Sequence, residues 1–229
     1  MSGFLLIDKP ETWTSHDVVG YLRKVTGIKK IGHAGTLDPF ATGLLVVGIG
    51  REATKRLDEF KGMSKTYVAT IQLGATSDTF DSTGTINTES TKTQKHIELN
   101  DITMVLENFV GTQKQLPPMF SAKKINGKKL YDLARKGIEV ERKPNEITIY
   151  SLELLNFDEK KNELEINVNC SAGTYIRTLA HDIGQKLGCG AYCKELRRTN
   201  IGEFDVKNAV DVKNLEKDNW GKYLISSPL

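Results

Sequence analysis

The stretch Gly32-His33-Ala34-Gly35-Thr36-Leu37-Asp38-Pro39-Phe40-Ala41-Thr42-Gly43 carries one carboxylate, one imidazole and three glycines, and an apolar run at residues 44–47 follows it. Glycine adopts backbone angles that other residues avoid, so such a loop lets another molecule approach closely. The apolar run is typical of a buried strand, which gives the loop a rigid support. Because Pro39 restricts the backbone at and before it, Asp38 is a candidate chemical group held on a fixed backbone.

Asp38 also has an interpretation that involves no chemistry. Asp followed by Pro is a common helix start, with Asp38 as the N-cap and Pro39 as the first helical residue. The spacing alone favours this interpretation, since helix caps are commoner than catalytic carboxylates. The two interpretations are compatible, because a cap would orient the carboxylate and favour its ionised form.

The composition is that of an ordinary globular protein. The chain has 229 residues, of which 38% are hydrophobic and 27% charged, and its formal net charge is +3. This length suits one large domain, or one domain with an insertion. The first residues do not form a signal peptide, and no apolar run approaches membrane length. We therefore expect a cytoplasmic protein that does not contact a membrane.

Cysteine, metal and cofactor signals are weak. The three cysteines, at positions 170, 189 and 193, are too few for a disulfide framework and indicate a reducing compartment. Cys189 and Cys193 with His181 match no common zinc spacing and lack a fourth ligand, so we expect no metal. Neither a P-loop nor a Gly-x-Gly-x-x-Gly motif occurs, so we expect no nucleotide cofactor. Any chemistry must come from side chains alone.

The segment of residues 123–143 is strongly basic. It holds eight Lys and Arg against three acidic residues, a local balance of +5. Such a concentration suits a polyanion, most simply nucleic acid. A solvated helix face explains the charges about as well. Residues 128–136, beginning with Lys128 and Lys129, are predicted to form a short basic helix that ends at Gly137.

Hydrophobic periodicity predicts helices and strands intermixed without a regular βαβ rhythm, which indicates an α+β fold with a mixed sheet. Strands are predicted at residues 4–7, 44–49, 66–73, 147–157 and 164–170. Helices are predicted from a Ser15 cap to Gly27, at 52–60, from an Asn100 cap to Gly111, and from 176 to Gly188. Residues 78–95 are predicted to be a surface loop, and 115–121 an extended segment because of two prolines.

Three further side chains are candidates for a site. Arg177 begins a predicted helix next to core-facing residues, and a half-buried Arg requires a carboxylate partner. Asp38 is one possible partner; pairing elsewhere, or reaching into solvent, is the alternative. Tyr67 and Tyr175 lie in ordered elements, where a tyrosine can stack on a base but more often belongs to the core.

Taken in order, these segments resemble the bacterial tRNA pseudouridine-55 synthase (TruB) family, and the match extends to about Phe204. It is carried by the sequences LLIDKP (5–10), GHAGTLDP (32–39), ATGLL (41–45), KTY (65–67), TSDT leading to Asp81 (76–81), QLPPMFSA (115–122), GTYIRTL (173–179) and LRRT (196–199).

The resemblance implies a role for each matching residue. Asp38 matches the catalytic aspartate, Tyr67 the tyrosine that stacks on the flipped uracil, and Arg177 the arginine paired with the aspartate. His33 matches a histidine that enters the T-loop of tRNA. The residues that match the walls of the pocket are Lys9, Pro10, Tyr175 and Leu196. Lys128 and Lys129 lie in a thumb-like insertion, about residues 112–145, that closes over the RNA.

The implied fold is a bent, mixed, mostly antiparallel sheet flanked by helices, in a single catalytic domain of residues 1–229 without the C-terminal PUA domain of many members. The implied reaction isomerises the T-loop uridine of tRNA: the N1–C1′ bond breaks, the uracil turns, and C5 joins C1′, with neither cofactor nor metal. The Asp either attacks C1′ or removes a proton from C2′, and the sequence does not separate these routes.

The resemblance also implies tRNA, through its T-arm, as the partner, and we expect a monomer. Two alternatives stay open. One is a non-catalytic module that binds the T-arm or helps tRNA fold. The other is a guide-RNA-dependent synthase of the dyskerin type, a group that needs partner proteins.

Overall fold

The computed structural model describes residues 2–88, 97–121, 123–125, 127–134 and 136–225. The chain divides into two compact units. The terminal unit consists of Met1–Val68 and Leu196–Leu229, and the central unit consists of Ala69–Glu195.

The described residues form fourteen strands and six α-helices. The strands are β1 (Gly3–Lys9), β2 (Ile31–Ala34), β3 (Thr42–Ile49), β4 (Lys65–Leu73), β5 (Thr76–Ser77), β6 (Ile86–Asn87), β7 (Gly111–Gln115), β8 (Lys124–Ile125), β9 (Lys128–Lys129), β10 (Asn145–Asp158), β11 (Glu163–Cys170), β12 (Ala191–Ile201), β13 (Phe204–Asp205) and β14 (Val210–Asp211). The helices are α1 (Ser15–Thr26), α2 (Gly50–Lys55), α3 (Leu57–Lys61), α4 (Leu99–Glu107), α5 (Leu130–Ala134) and α6 (Ile176–Leu187). Short 3-10 helices occur at Val206–Asn208, Val212–Asn214 and Trp220–Tyr223.

The terminal unit contains a mixed sheet in the order β14-β1-β3-β12, with β2 paired to β3 and β13 to β12. Strand β1 runs antiparallel to β3, whereas β12 runs parallel to β3 and β14 parallel to β1. Residues of β1 and β3 such as Leu5, Ile7 and Leu45 are fully buried. Burial on both faces explains why these strands read as continuous apolar runs and not as alternating ones. The predicted α+β class with a mixed sheet is confirmed.

The segment around Asp38 is a loop between β2 and β3, and not the start of a helix. The Ala41 N–H donates to the carbonyl oxygen of Asp38 at 3.1 Å, which closes a turn. Gly35 has a φ of +81° and begins this reversal. Because β3 starts at Thr42, only a short connection is available, and a helix does not fit. The helix-cap interpretation of Asp38 was therefore wrong.

Helix α1 is capped one residue earlier than predicted. Thr14, and not Ser15, is the N-cap: its hydroxyl accepts from the Asp17 N–H at 3.0 Å, and the Asp17 carboxylate accepts from the Thr14 N–H at 2.8 Å. This reciprocal pair is a capping box. The helix ends at Gly27, with a φ of +72°, as predicted.

Three other predicted boundaries were wrong. The predicted helix at 52–60 is interrupted at Arg56, which has a φ of −96° and a ψ of 1°. Glu98, and not Asn100, is the N-cap of α4, whose C-cap is Asn108, before Gly111. Lys128 and Lys129 belong to β9, which pairs with β8, so among the described residues of the predicted basic helix the helical ones are Leu130–Ala134.

In the central unit, β10 pairs on one side with β7 and on the other with β11, both antiparallel. Helix α6 packs against α4 and ends at Gly188, as predicted. The predicted surface loop at 78–95 was only partly correct, because β6 lies within it. Asp81 is also 3% exposed, and its backbone forms an isolated parallel β-bridge with that of Cys193. Residues 89–96 of that loop lie outside the described residues.

The three cysteines are buried. Among the residues that the structure describes, no helix is long and apolar enough to cross a membrane.

Candidate active site

The loop that carries Asp38 is fixed at the residue before it. Ser15, 2% exposed, accepts from the Leu37 N–H at 2.9 Å, and its hydroxyl lies 3.2 Å from the Leu37 carbonyl oxygen, to which it donates. A buried side chain that satisfies both backbone groups of one residue leaves that residue little freedom. Asp38 is therefore held on its N-terminal side by the first residue of α1.

Lys9 fixes the loop from the other side. It is fully buried at the end of β1, and its ammonium donates to the carbonyl oxygens of Trp13 at 2.6 Å, Pro10 at 2.9 Å and Pro39 at 3.4 Å. The Thr12 N–H donates to the same Pro39 carbonyl at 2.8 Å. The carbonyl of the residue that follows Asp38 is thus held by two donors.

Lys9 also places a cation near the loop. Burial lowers the pKa of Lys9 from 10.5 to about 8, while the negative charge of Asp38 raises it and the positive charge of Arg198 lowers it. The group remains an ammonium at neutral pH, where its three carbonyl acceptors suit the charged form. Among the predicted pocket residues, Lys9 and Asp38 are brought together within the terminal unit.

Arg198 makes hydrogen bonds at both ends of the same loop. Its Nη2 donates to the Gly35 carbonyl at 3.1 Å, and its Nε donates to the Leu44 carbonyl at 2.7 Å. The side chain is 1% exposed. No role for Arg198 was predicted, although the strand alternation that places it on the same face as Leu196 was a signal that this Arg of the pair is buried.

His33 lies on β2, opposite Val47 of β3, and is half-buried. Burial, together with the nearby charge of Arg198, lowers the pKa of His33 below its ordinary value of 6.5. Its Nδ1 is buried without a hydrogen-bond partner among the described residues. The lowered pKa favours the neutral form of the ring at neutral pH.

The remaining predicted residues of the terminal unit lie on a strand or directly after one. Tyr67 is on β4 and 8% exposed, and the strand predicted at 66–73 is confirmed, with burial alternating along it. Leu196 is on β12 and 7% exposed, and Pro10 follows β1 and is half-buried.

Arg177 lies in the central unit, at the second residue of α6, and pairs with Asp81. Its Nη1 lies 2.9 Å from an Asp81 carboxylate oxygen and also donates to the Thr79 carbonyl at 3.0 Å. Its Nη2 donates to the Phe120 carbonyl at 2.9 Å. One guanidinium thus ties the Thr76–Asp81 motif to the base of the predicted thumb. The pairing of Arg177 with Asp38 stays a prediction.

Tyr175 is positioned by Gln115, a residue to which sequence analysis gave no role. The Gln115 side-chain amide accepts from the Tyr175 N–H at 2.8 Å and donates to the Tyr175 carbonyl at 3.0 Å. Gln115 is 4% exposed, and Tyr175 is half-buried. The sequence carried no specific signal for this role, because Gln115 follows three other polar residues at positions 112–114.

The basic segment is only partly available to a ligand. Arg142 donates to the Pro117 carbonyl at 3.0 Å, and Lys123 donates to the Asn145 side chain at 2.5 Å, so both support the protein itself. The backbones of Lys128 and Lys129 form one strand of the β8–β9 hairpin. RNA binding by these two lysines stays a prediction.

A cleft of about 590 Å³ opens elsewhere in the central unit, lined by polar residues that include Ser77, Asp78, His181 and Gln185. Among the described residues that line it, none was predicted for the site, so the cleft and the predicted site do not coincide. In the described parts of the chain, no group of three His, Cys, Asp or Glu side chains is arranged to hold a metal ion.

Two family models match the chain, and together they cover most of it. The family model described as TruB family pseudouridylate synthase (N terminal domain) matches residues 23–176, and that of the tRNA pseudouridylate synthase B C-terminal domain matches residues 177–226. Similar curated proteins include tRNA pseudouridine synthase B of Syntrophotalea carbinolica, 48% identical over 94% of this chain and 69% of that protein. Another is that of Syntrophomonas wolfei, 47% identical over 98% of this chain and 76% of that protein.

Among solved structures, the chain is similar to one of a Cbf5-Nop10-Gar1 complex, with a TM-score of 0.70 and 29% identity over 93% of this chain. It is also similar to one of an H/ACA RNP bound to a substrate RNA containing 2'-deoxyuridine, with a TM-score of 0.68 and 28% identity. The chain spans about half the length of these solved chains.

Proposed function

The chain belongs to the TruB family of pseudouridylate synthases, and on that premise we propose that it is a tRNA pseudouridine synthase that isomerises the T-loop uridine, with Asp38 as its essential carboxylate. The observation that carries the proposal is the way in which Asp38 is held. Ser15 fixes the residue before it, and Lys9 and Thr12 fix the residue after it. A reacting group needs such a fixed backbone, because a small misplacement costs a large factor in rate.

The reaction requires the carboxylate in its ionised form. In one route an Asp38 oxygen attacks C1′, the N1–C1′ bond breaks with its electrons on the uracil, and the turned uracil then displaces the carboxylate through C5. In the other route Asp38 removes the C2′ proton as the N1–C1′ bond breaks, which leaves a C1′=C2′ double bond. C5 of the turned uracil then bonds to C1′, and C2′ takes the proton back from the Asp38 carboxyl. A nearby Lys9 ammonium supports the anion that both routes use. In either case the C5 proton is lost at the end.

The uridine must leave the T-loop stack before Asp38 can reach it, at a cost of a few kcal/mol. Aromatic stacking on Tyr67 and insertion of the His33 ring into the loop offset that cost in our proposal. The lowered pKa of His33 supports this role, because it favours the uncharged ring, whose desolvation on insertion costs less than that of a cation. Pro10, Tyr175 and Leu196 complete the walls of the pocket.

We further propose that the T-arm of tRNA is the part recognised, that Lys128 and Lys129 bind its phosphates, and that the protein acts as a cytoplasmic monomer. A single catalytic domain of residues 1–229, with a thumb at about 112–145, is part of the same proposal. Relatives at 46–49% identity are named tRNA pseudouridine synthase B, which supports tRNA as the substrate class.

The test uses a T-arm stem-loop labelled with tritium at C5 of the target uridine, because isomerisation at C5 releases that label. Wild-type protein alone should release one tritium per target uridine. Asp38→Asn should release none while its dissociation constant for the stem-loop changes by less than about tenfold, since it removes charge and little volume. Asp58→Asn, which alters an exposed carboxylate in the same unit, is the matched control and should keep full activity.

Tritium release by Asp38→Asn at the wild-type rate would contradict the assignment. The same assay separates the two alternatives. A non-catalytic module would bind the stem-loop without release. A guide-dependent synthase, the alternative favoured by the similarity to the Cbf5 and H/ACA structures, would need added guide RNA and partner proteins before any label appeared.

A further inference from the structure

Arg198 is a buried cation at the base of the Asp38 loop. It is among the largest fully buried side chains of the protein. In the described part of the chain its hydrogen-bond partners are backbone carbonyls, and no ion pair with a carboxylate includes it. A buried cation without an anionic partner is costly, and an apolar side chain of similar volume packs more favourably. Stability alone does not explain the presence of an arginine here.

The two carbonyls that Arg198 binds mark the ends of the loop. Gly35 is the first residue after β2, and Leu44 lies just inside β3, so the segment between them contains Asp38. Nε and Nη2 of one rigid guanidinium donate to these carbonyls at 2.7 Å and 3.1 Å. The planar guanidinium therefore sets the separation of the two ends.

The backbone of Arg198 is fixed against the same loop. Arg198 lies opposite Gly43 in the parallel β3–β12 pair. Gly43 has a φ of +99°, and a Cβ atom added there would collide with the carbonyl oxygen of Arg198. The main chain of Arg198 thus contacts the C-terminal end of the loop directly, while its side chain reaches back to the N-terminal end.

We propose that Arg198 is a positioning residue for Asp38: by joining Gly35 to Leu44 it holds the loop in the geometry that the chemical step requires, without contributing to RNA affinity. This inference rests on the proposed function of Asp38. A brace of this kind affects the rate of glycosidic bond cleavage, because misplacing a reacting carboxylate by about 1 Å costs on the order of 100-fold. The charge of Arg198 also reaches this site, since it lowers the pKa of both Lys9 and His33.

The test compares Arg198→Lys with Arg197→Lys in the full chain. A lysine at 198 keeps the charge, but a single ammonium cannot reproduce the planar fork that donates to two carbonyls. We expect the single-turnover rate of tritium release at saturating stem-loop to fall at least about tenfold, with a dissociation constant within about threefold of wild type. Arg197, the neighbour on the same strand, pairs with Asp8 through a side chain that is 42% exposed, and its lysine variant should keep both values.

A rate in Arg198→Lys equal to that of wild type would overturn the proposal, as would a loss that appears only in the dissociation constant. Thermal unfolding of each variant shows whether the protein is folded at the assay temperature. If Arg198→Lys does not fold, Ser15→Ala carries the test, because it releases Leu37 from the other side of the loop. An unchanged rate in folded Ser15→Ala would then reject control of the rate by loop geometry. An inactive wild type would reject the proposed function itself, and this proposal with it.

Discussion

Arg177 and Asp81 form an ion pair inside the central unit, with 2.9 Å between Nη1 and the carboxylate oxygen and with both side chains 4% exposed. Asp81 is held in turn by the Thr79 hydroxyl at 2.8 Å and by Thr83, whose N–H and hydroxyl donate at 2.9 Å and 2.6 Å. The arginine side chain is therefore oriented by a carboxylate whose own oxygens are fixed. The energetic and catalytic effects of this pair can be measured by changing Asp81.

Asp81→Asn should lower both stability and activity. The change removes the charge of a buried carboxylate and leaves the cation of Arg177 in place, which costs about 3 kcal/mol of unfolding free energy. Because Arg177 also binds the Phe120 carbonyl, the base of the thumb should loosen and tritium release should slow. Urea unfolding and the stem-loop assay measure the two effects. Asp158→Asn is the control, since the Lys161–Asp158 pair is exposed, and its unfolding free energy should stay close to wild type. Equal stability of both variants would show that the buried pair contributes nothing.

Gln115→Ala should act through Tyr175. The alanine leaves the Tyr175 N–H and carbonyl without the two hydrogen bonds that Gln115 makes, at a cost of about 2 kcal/mol. If Tyr175 is part of the pocket, kcat/KM should fall about tenfold. Gln72→Ala is the matched control: its amide also binds backbone carbonyls of the central unit, but in a more exposed place, so it should cost less than about 1 kcal/mol and leave kcat/KM unchanged. A wild-type kcat/KM in Gln115→Ala would show that Tyr175 is not part of the pocket.

Asp182→Asn should stabilise the protein in a pH-dependent way. Burial raises the pKa of Asp182 from 3.8 to about 6. Between these values the folded state binds more protons than the unfolded state, so the wild-type unfolding free energy decreases as pH rises through this window. Asparagine removes the free-energy cost of ionising a buried carboxyl. The resulting gain in unfolding free energy over wild type should be absent near pH 3.5 and complete above about pH 7. Because Asp182 is only half-buried, solvent screening limits this gain in unfolding free energy to about 1 kcal/mol, or about 2–4 °C in Tm.

Thermal unfolding of wild type and Asp182→Asn between pH 4 and 8 measures this difference. His181, whose pKa is lowered by burial, titrates in both proteins and largely cancels from the comparison. A stability difference that does not change with pH would contradict the raised pKa.

Changing Lys128 and Lys129 together to glutamine should weaken stem-loop binding and reduce its salt dependence. For each phosphate that the variant no longer binds, the slope of log K against log salt should become shallower by up to about one unit. Lys160→Gln with Lys161→Gln, in the exposed turn between β10 and β11, removes the same charge and serves as control. An identical slope for both double variants would mean that the lysines at 128 and 129 form only a solvated surface.

The agreement between prediction and structure differs from element to element. The strands β4, β10 and β11 and the helix α6 follow from apolar periodicity, because a face that packs on the core needs residues at fixed spacing. Strand β3 follows from a continuous apolar run, because it is buried on both faces. The ends of α1 and α6 at Gly27 and Gly188 follow from glycine, since each takes a positive φ that a side chain disfavours. The family and its reaction class followed from short motifs in a fixed order.

The sequence by itself therefore determined the α+β class, the buried strands, the family and the identity of Asp38 as a candidate carboxylate, because local patterns and motifs carry that information. Tertiary structure decided which side chains and backbone groups contact one another. Asp38 begins a turn and not a helix because β3 starts four residues later, and Arg177 is matched to Asp81, 96 positions away in the chain. The braces from Ser15, Lys9 and Arg198 also join distant positions. Such contacts depend on which strands become neighbours, and no local spacing records that.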